Sequence, residues 1–143
     1  MAEIILVTGG SRSGKSRYAQ ELAESLSCKR LFVATCLVSD EEMRQRIERH
    51  QRDRAGARWQ TIEEPLDLAT ILVGNQEYEV VLIDCLTLWI NNLLFSDATN
   101  ALSEESLSGK VRLVVDACKG RAGTVIMVTN EVGLGIVPEN QLA

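Results

Sequence analysis

No stretch of this sequence is apolar enough, for long enough, to cross a bilayer. The longest candidate, Val80–Phe95, is broken by Asp84, Asn91 and Asn92 and falls short of the roughly 20 apolar residues a spanning helix needs. No basic segment leading into an apolar run opens the chain, as it would in a secretory leader. These two absences give the expectation of a cytoplasmic protein without a membrane segment. A basic excess is also missing: 15 Lys and Arg stand against 20 Asp and Glu, for a net charge of −5, which argues against a nucleic-acid partner. Aromatics make up only 4% of the residues, and with 45% hydrophobic and 24% charged the composition is that of an ordinary globular domain. The four cysteines, Cys28, Cys36, Cys85 and Cys118, form no C-x-x-C pair and no zinc spacing, so free thiols in a reducing compartment are expected. Repeats, low-complexity tracts and interdomain linkers are absent, and the 143 residues are read as one domain with one sizeable core.

What is present alternates between two periods. Glu3–Thr8 is a β-branched apolar run closed by Gly9 and Gly10, the pattern of a buried parallel strand. Tyr18, Ala19, Leu22, Ala23 and Leu26 fall at helical spacing in a helix expected from Lys15 to about Ser27. Leu31–Thr35 reads as a second strand. Ser39 followed by Glu42 is a capping box that opens a charged helix through about Arg54. Trp59–Ile62 is a short strand, and Pro65 suits the first turn of a helix to about Val73. Glu79–Asp84 is a strongly apolar strand, residues 86–95 and 104–119 are helical in pattern around a polar loop, and Thr124–Thr129 is a further strand. Strands alternating with helices predict an α/β fold with a mostly parallel sheet covered on both faces.

Gly9-Gly10-Ser11-Arg12-Ser13-Gly14-Lys15-Ser16 matches G-x-x-x-x-G-K-[ST] in full, between an expected strand and an expected helix. Glycines let the backbone wrap a phosphate with successive N–H groups inward, and the helix N-terminus adds partial positive charge. Lys15 would reach the β- and γ-phosphates, and Ser16 can ligate Mg²⁺. A second carboxylate is needed near the metal. Asp84 follows four apolar strand residues, the Walker-B pattern, and in a parallel sheet it would emerge at the ligand-binding edge with the loop; an acidic cap for the next helix is the alternative. Thr129-Asn130-Glu131 ends another strand and should reach that edge too, either as part of an active-site or interface loop with the glycine-rich Val132–Pro138 or as an ordinary strand exit.

His50 is the only histidine. With Met43, Ile47 and Arg54 it shares one helix face, and such a residue is more often packed structurally than catalytic. Around it crowd Arg44, Arg46, Arg49, Arg52, Arg54 and Arg58. In an acidic chain this cluster could neutralise a polyphosphate, or could be a solvated face paired at i,i+4, as Glu48 with Arg52.

Taken together, four stretches resemble the bifunctional adenosylcobinamide kinase / adenosylcobinamide-phosphate guanylyltransferase family of cobalamin biosynthesis: Ile5–Arg17; Arg46–His50 with Trp59–Pro65; Leu82–Leu94; and Val128–Asn140. The resemblance implies a RecA-like P-loop NTPase sandwich and two reactions. ATP or GTP phosphorylates the aminopropanol hydroxyl of adenosylcobinamide. GTP then gives GMP to an enzyme histidine, here His50, and adenosylcobinamide phosphate takes it to form adenosylcobinamide-GDP. A neutral imidazole is a competent nucleophile near pH 7. The resemblance further implies Mg²⁺, a homotrimer, a corrinoid partner, and Thr35, Arg54, Glu63 and Asp84 around the guanine nucleotide. Family members continue for roughly another helix and strand past the Pro-Glu-Asn motif, so a single P-loop domain lacking those C-terminal elements is expected. Rival readings are a simple P-loop small-molecule kinase, which needs no nucleophilic histidine, and a nucleotide-dependent switch or binding module. A guanine switch would carry N-K-x-D, which the sequence lacks.

Overall fold

The computed structural model of the chain describes residues 1–10, 13–36, 41–55, 58–96 and 104–130; within its helices, the side chains of Met43, Arg46, His50, Asp53 and Ala55 lie outside that description. Ten elements follow one another: β1 (Glu3–Gly9), α1 (Lys15–Leu26), β2 (Arg30–Ala34), α2 (Glu41–Ala55), β3 (Trp59–Glu63), α3 (Leu68–Gly74), β4 (Val80–Asp84), α4 (Leu86–Ser96), α5 (Glu104–Lys119) and β5 (Thr124–Asn130). The strands form one sheet in the order β1-β5-β4-β2-β3. Every pairing is parallel, as the apolar strands and intervening helices predict.

Side chains alternate across that sheet. Leu31, Val33, Val81, Ile83, Val125 and Met127 face α3, α4 and α5, where Leu68, Leu72, Trp89, Leu93 and Val114 complete a core. Phe32, Leu82, Ile126 and Val128 face the other way, against Ala19 and Ala23 of α1. Each such aliphatic side chain contributes about 1.5–3 kcal/mol when fully buried. The two alanines let α1 approach the strands closely, which brings its first turn to the carboxyl edge of the sheet.

One element boundary differs from the sequence expectation. The helix after β3 starts at Leu68, not at Pro65. Glu64 accepts from the N–H groups of Leu66 (3.1 Å) and Asp67 (3.0 Å), and Asp67 accepts from the Thr70 N–H (3.2 Å) and hydroxyl (2.8 Å). Short acidic side chains that bond nearby amides hold the backbone in turns and caps and delay the helix. The expected capping serine, Ser39, lies outside the described residues, as does the expected loop from 97 onward.

At the amino edge, Arg121 is almost fully buried. Its guanidinium donates to the carbonyls of Leu72, Asn75 (3.2 Å) and Tyr78 (2.9 Å). Burial, the largest cause, lowers its pKa, partly opposed by Cys118 and Glu77. It ties the end of α3 to the start of β5.

Candidate active site

The strand order decides what can meet. β5 lies between β1, which leads into the phosphate loop, and β4, which ends in Asp84. Gly9 registers with Asn130, and Asp84 with Val128. All three strands therefore deliver their last residues to one edge, where ligands bind in open parallel sheets.

Within the loop, two glycines carry the geometry. Gly14 has φ 81° and precedes the first residue of α1, a conformation that strains any residue with a Cβ. A Cβ at Gly9 would lie 2.6 Å from Ser13 Oγ. Lys15 Nζ donates to Gly10 O at 3.0 Å, which holds the ammonium over the loop. Ser11 and Arg12 lie outside the described residues. A depression of about 470 Å³ borders the loop along β1, lined by residues including Gly9, Ser13, Lys15 and Tyr18; Asp84 sits outside it, on the far side of β5.

Ser16 Oγ donates to Asp84 Oδ2 at 2.8 Å. Two residues 68 apart in sequence thus place a neutral and an anionic oxygen side by side at the mouth of the loop. The alternative role for Asp84, capping α4, is not what the hydrogen bonds show: Trp89 N–H bonds Cys85 O at 3.2 Å, and Leu88 N–H approaches Cys85 Sγ at 3.5 Å. Burial, the largest cause, raises the Cys85 thiol's pKa, against the opposing pull of the Leu88 amide.

Thr35 is buried completely. Its hydroxyl donates to Cys85 O (2.8 Å) and accepts from Cys85 N–H (2.9 Å), and its own N–H donates to Asp84 O (3.1 Å). It therefore stands behind the site instead of lining it. Asn92 was not singled out from the sequence. It reaches back from α4 and donates to Thr35 O (2.7 Å) and Pro65 O (3.0 Å). The available signal was a polar residue at a buried position of an otherwise apolar helix. Thr87 was missed as well: its hydroxyl lies 3.2 Å from Thr129 Oγ1 and accepts from Asn130 N–H at 3.0 Å. The end of β5 is thus anchored beside the loop. Glu131 and the glycine-rich run after it lie outside the described residues.

The remaining expected residues gather at the other end of the sheet. Arg54 is 4% exposed, with its guanidinium 3.5 Å from the Phe32 ring centroid and 3.5 Å from Thr61 Oγ1. It packs α2 onto β2 and β3. Glu63 is exposed and accepts from Gln51 Nε2 at 3.0 Å, which brings it to the turn of α2 that carries His50. Of the arginine cluster, Arg49, Arg52 and Arg58 are exposed, whereas Arg44 pairs with Glu41 (3.0 Å) and Glu48 (3.1 Å). Glu48 pairs with the arginine one turn before it, not with Arg52 one turn after. α2 packs on β3, the edge strand on the opposite side of the sheet from β1.

Comparisons with known proteins show which family the chain resembles. A family model described as cobinamide kinase / cobinamide phosphate guanyltransferase (CobU) matches residues 5–143. The bifunctional adenosylcobalamin biosynthesis protein CobP of Pseudomonas aeruginosa is 41% identical over 139 residues, covering 96% of this chain and 77% of that protein. The similarly named CobU of Escherichia coli is 38% identical over 149 aligned residues, covering 98% of this chain and 81% of its own. Among solved structures, an ATP synthase subunit, NeqB, from Nanoarcheaum equitans superposes with a TM-score of 0.62 at 14% identity. It covers 94% of this chain, which in turn spans 42% of that one, and the likeness is one of fold.

Proposed function

The chain belongs to the cobinamide kinase / cobinamide phosphate guanyltransferase family, and from that premise we propose how its residues divide two reactions between two centres. The protein is a bifunctional transferase of cobalamin biosynthesis, a kinase for adenosylcobinamide and a guanylyltransferase for its phosphate.

The kinase centre is the phosphate loop. Its amides and Lys15 bind the phosphates of ATP or GTP, and Lys15 stabilises charge developing on the transferred group. The contact between Ser16 Oγ and Asp84 Oδ2, at 2.8 Å, is the observation that carries this assignment. Two hard oxygens, one of them a carboxylate, suit Mg²⁺, which takes one or two protein ligands and completes its shell from phosphates and water. Such an ion would neutralise negative charge on the donor's phosphates. Ser16 and Asp84 would hold it, and the loop would orient the donor in line with the acceptor hydroxyl.

The guanylyltransferase centre is the His50 turn of α2. An imidazole nitrogen attacks the α-phosphorus of GTP, the bond to pyrophosphate breaks, and GMP is held as a phosphoramidate. A phosphate oxygen of adenosylcobinamide phosphate then displaces the histidine and yields adenosylcobinamide-GDP. The exposed Arg49 and Arg52 on the same helix offset the charge of the departing pyrophosphate. Glu63, held by Gln51, faces the nucleotide, while Arg54, packed on Phe32, supports the helix from within.

The protein works as a homotrimer in the cytoplasm, which the family resemblance implies, and light scattering of the purified protein checks the assembly. No helix of the described residues is long and apolar enough to cross a membrane. The decisive experiment incubates the protein with α-labelled GTP and Mg²⁺, denatures it and measures retained label. The expected adduct is acid-labile, alkali-stable and lost in His50→Ala, which keeps its kinase activity. A nucleotide-competent protein that retains no label would leave a plain P-loop kinase as the better reading.

A further inference from the structure

Thr35 uses every main-chain and side-chain polar group it has inside the protein. Its N–H goes to Asp84 O at 3.1 Å. Its hydroxyl bonds both main-chain groups of Cys85, at 2.8 and 2.9 Å, and its carbonyl accepts from Asn92 at 2.7 Å. A threonine hydroxyl has one proton to give, and that proton is committed. Fully buried, Thr35 has no donor left for a nucleotide.

What these bonds hold is the last residue of β4. The strand ends at Asp84 and α4 begins at Leu86, so the main chain must leave the sheet directly after the carboxylate-bearing residue. The Thr35 N–H fixes the carbonyl of Asp84, and the Thr35 hydroxyl fixes the N–H and carbonyl of the next residue. The direction of the Asp84 side chain follows from that main chain, and its carboxylate lies 2.8 Å from Ser16 Oγ. Asn92 closes the arrangement: by bonding Thr35 O and Pro65 O together, it ties the clamp to the segment that follows Glu63.

We propose that Thr35, held by Asn92, is the positioning residue for Asp84, setting the carboxylate at the distance from Ser16 that Mg²⁺ binding needs. This rests on the reading of Asp84 as the metal-facing carboxylate. Partners one shell removed from a metal commonly alter its affinity ten- to a hundredfold when lost.

The test is a binding measurement on the whole chain. GDP affinity is determined by calorimetry across a Mg²⁺ titration and again in EDTA. In Thr35→Val, which keeps the shape and loses the hydroxyl, the Mg²⁺ midpoint is expected to rise about tenfold, with GDP affinity in EDTA within about twofold of the original. Thr35→Ser restores the midpoint. A purely structural role would lower GDP affinity with and without Mg²⁺ and leave the midpoint in place, which would overturn the proposal. Asp84→Asn separates the two levels of inference. If it does not move the midpoint, the reading of Asp84 fails; if it does and Thr35→Val does not, only the role of Thr35 fails. Should Thr35→Val not fold, Asn92→Ala frees the Thr35 carbonyl and must shift the same midpoint upward; an unchanged midpoint there refutes the clamp.

Discussion

Single residues in this protein separate cleanly into those that face the ligand edge and those that hold the frame. Lys15, Ser16 and Asp84 converge on that edge. Arg121 belongs to the opposite edge, and its guanidinium satisfies carbonyls of Leu72, Asn75 and Tyr78. Replacing it by leucine removes the donor and strands those acceptors. Hydrogen bonds to a charged donor contribute about 1.5–3 kcal/mol each and are not additive, so Arg121→Leu is expected to lower stability by roughly 3 kcal/mol. Urea unfolding would show it as a lower midpoint. GDP affinity of the folded protein should be unchanged, because the phosphate loop lies at the other end of the strands.

Among the elements, β5 is held at both ends and along both edges. It is paired on both sides, to β1 and to β4, and it enters through Gly123. That residue has φ 88°, and a Cβ there would lie 2.3 Å from Glu79 O, a main-chain atom that cannot swing away. Gly123→Ala therefore combines an unfavourable φ with a clash that shifts β5 against the turn before β4. The expected loss is more than about 3 kcal/mol, the range of overpacking and backbone-strain effects combined, read as a fall in thermal midpoint. The structure that β5 carries at its other end, Thr129 and Asn130 bonded to Thr87, should lose order with it. The helices show the same dependence on context: α3 begins where Asp67 can cap it, not where proline alone would permit.

For the molecule as a whole, the buried thiols set an alkaline limit. Burial raises the pKa of both Cys85 and Cys118 in the folded state. A thiol so raised keeps its proton in the folded state at a pH where the unfolded chain, with thiols near 8.5, releases it. The unfolded state then binds fewer protons, and stability falls as pH rises. The contribution is fully present below about pH 8 and declines above about 8.5. Urea midpoints measured from pH 7 to 10 should fall in the upper part of that range, and less steeply in Cys118→Ala. Cys28, which is exposed, should react with iodoacetamide in the folded protein, while Cys85 and Cys118 wait for unfolding.

Much of this was legible in the linear sequence because the signals are local. The phosphate loop is eight consecutive residues, and its glycines, lysine and serine identify themselves by spacing. The apolar run ending in Asp84, and the alternation of strand and helix patterns, follow from which side chains avoid water. The sequence by itself therefore determined the parallel α/β class, the loop and the candidate carboxylate. Only the tertiary structure decided that β5 lies between the loop strand and the Asp84 strand, that Ser16 meets Asp84 across 68 residues, that Thr35 turns inward to clamp Cys85 and that Arg54 packs beneath the His50 helix. Those outcomes depend on strand order and on which buried polar groups find one another. Neither is written in periodicity, because each hydrogen bond is chosen by a partner distant in the chain.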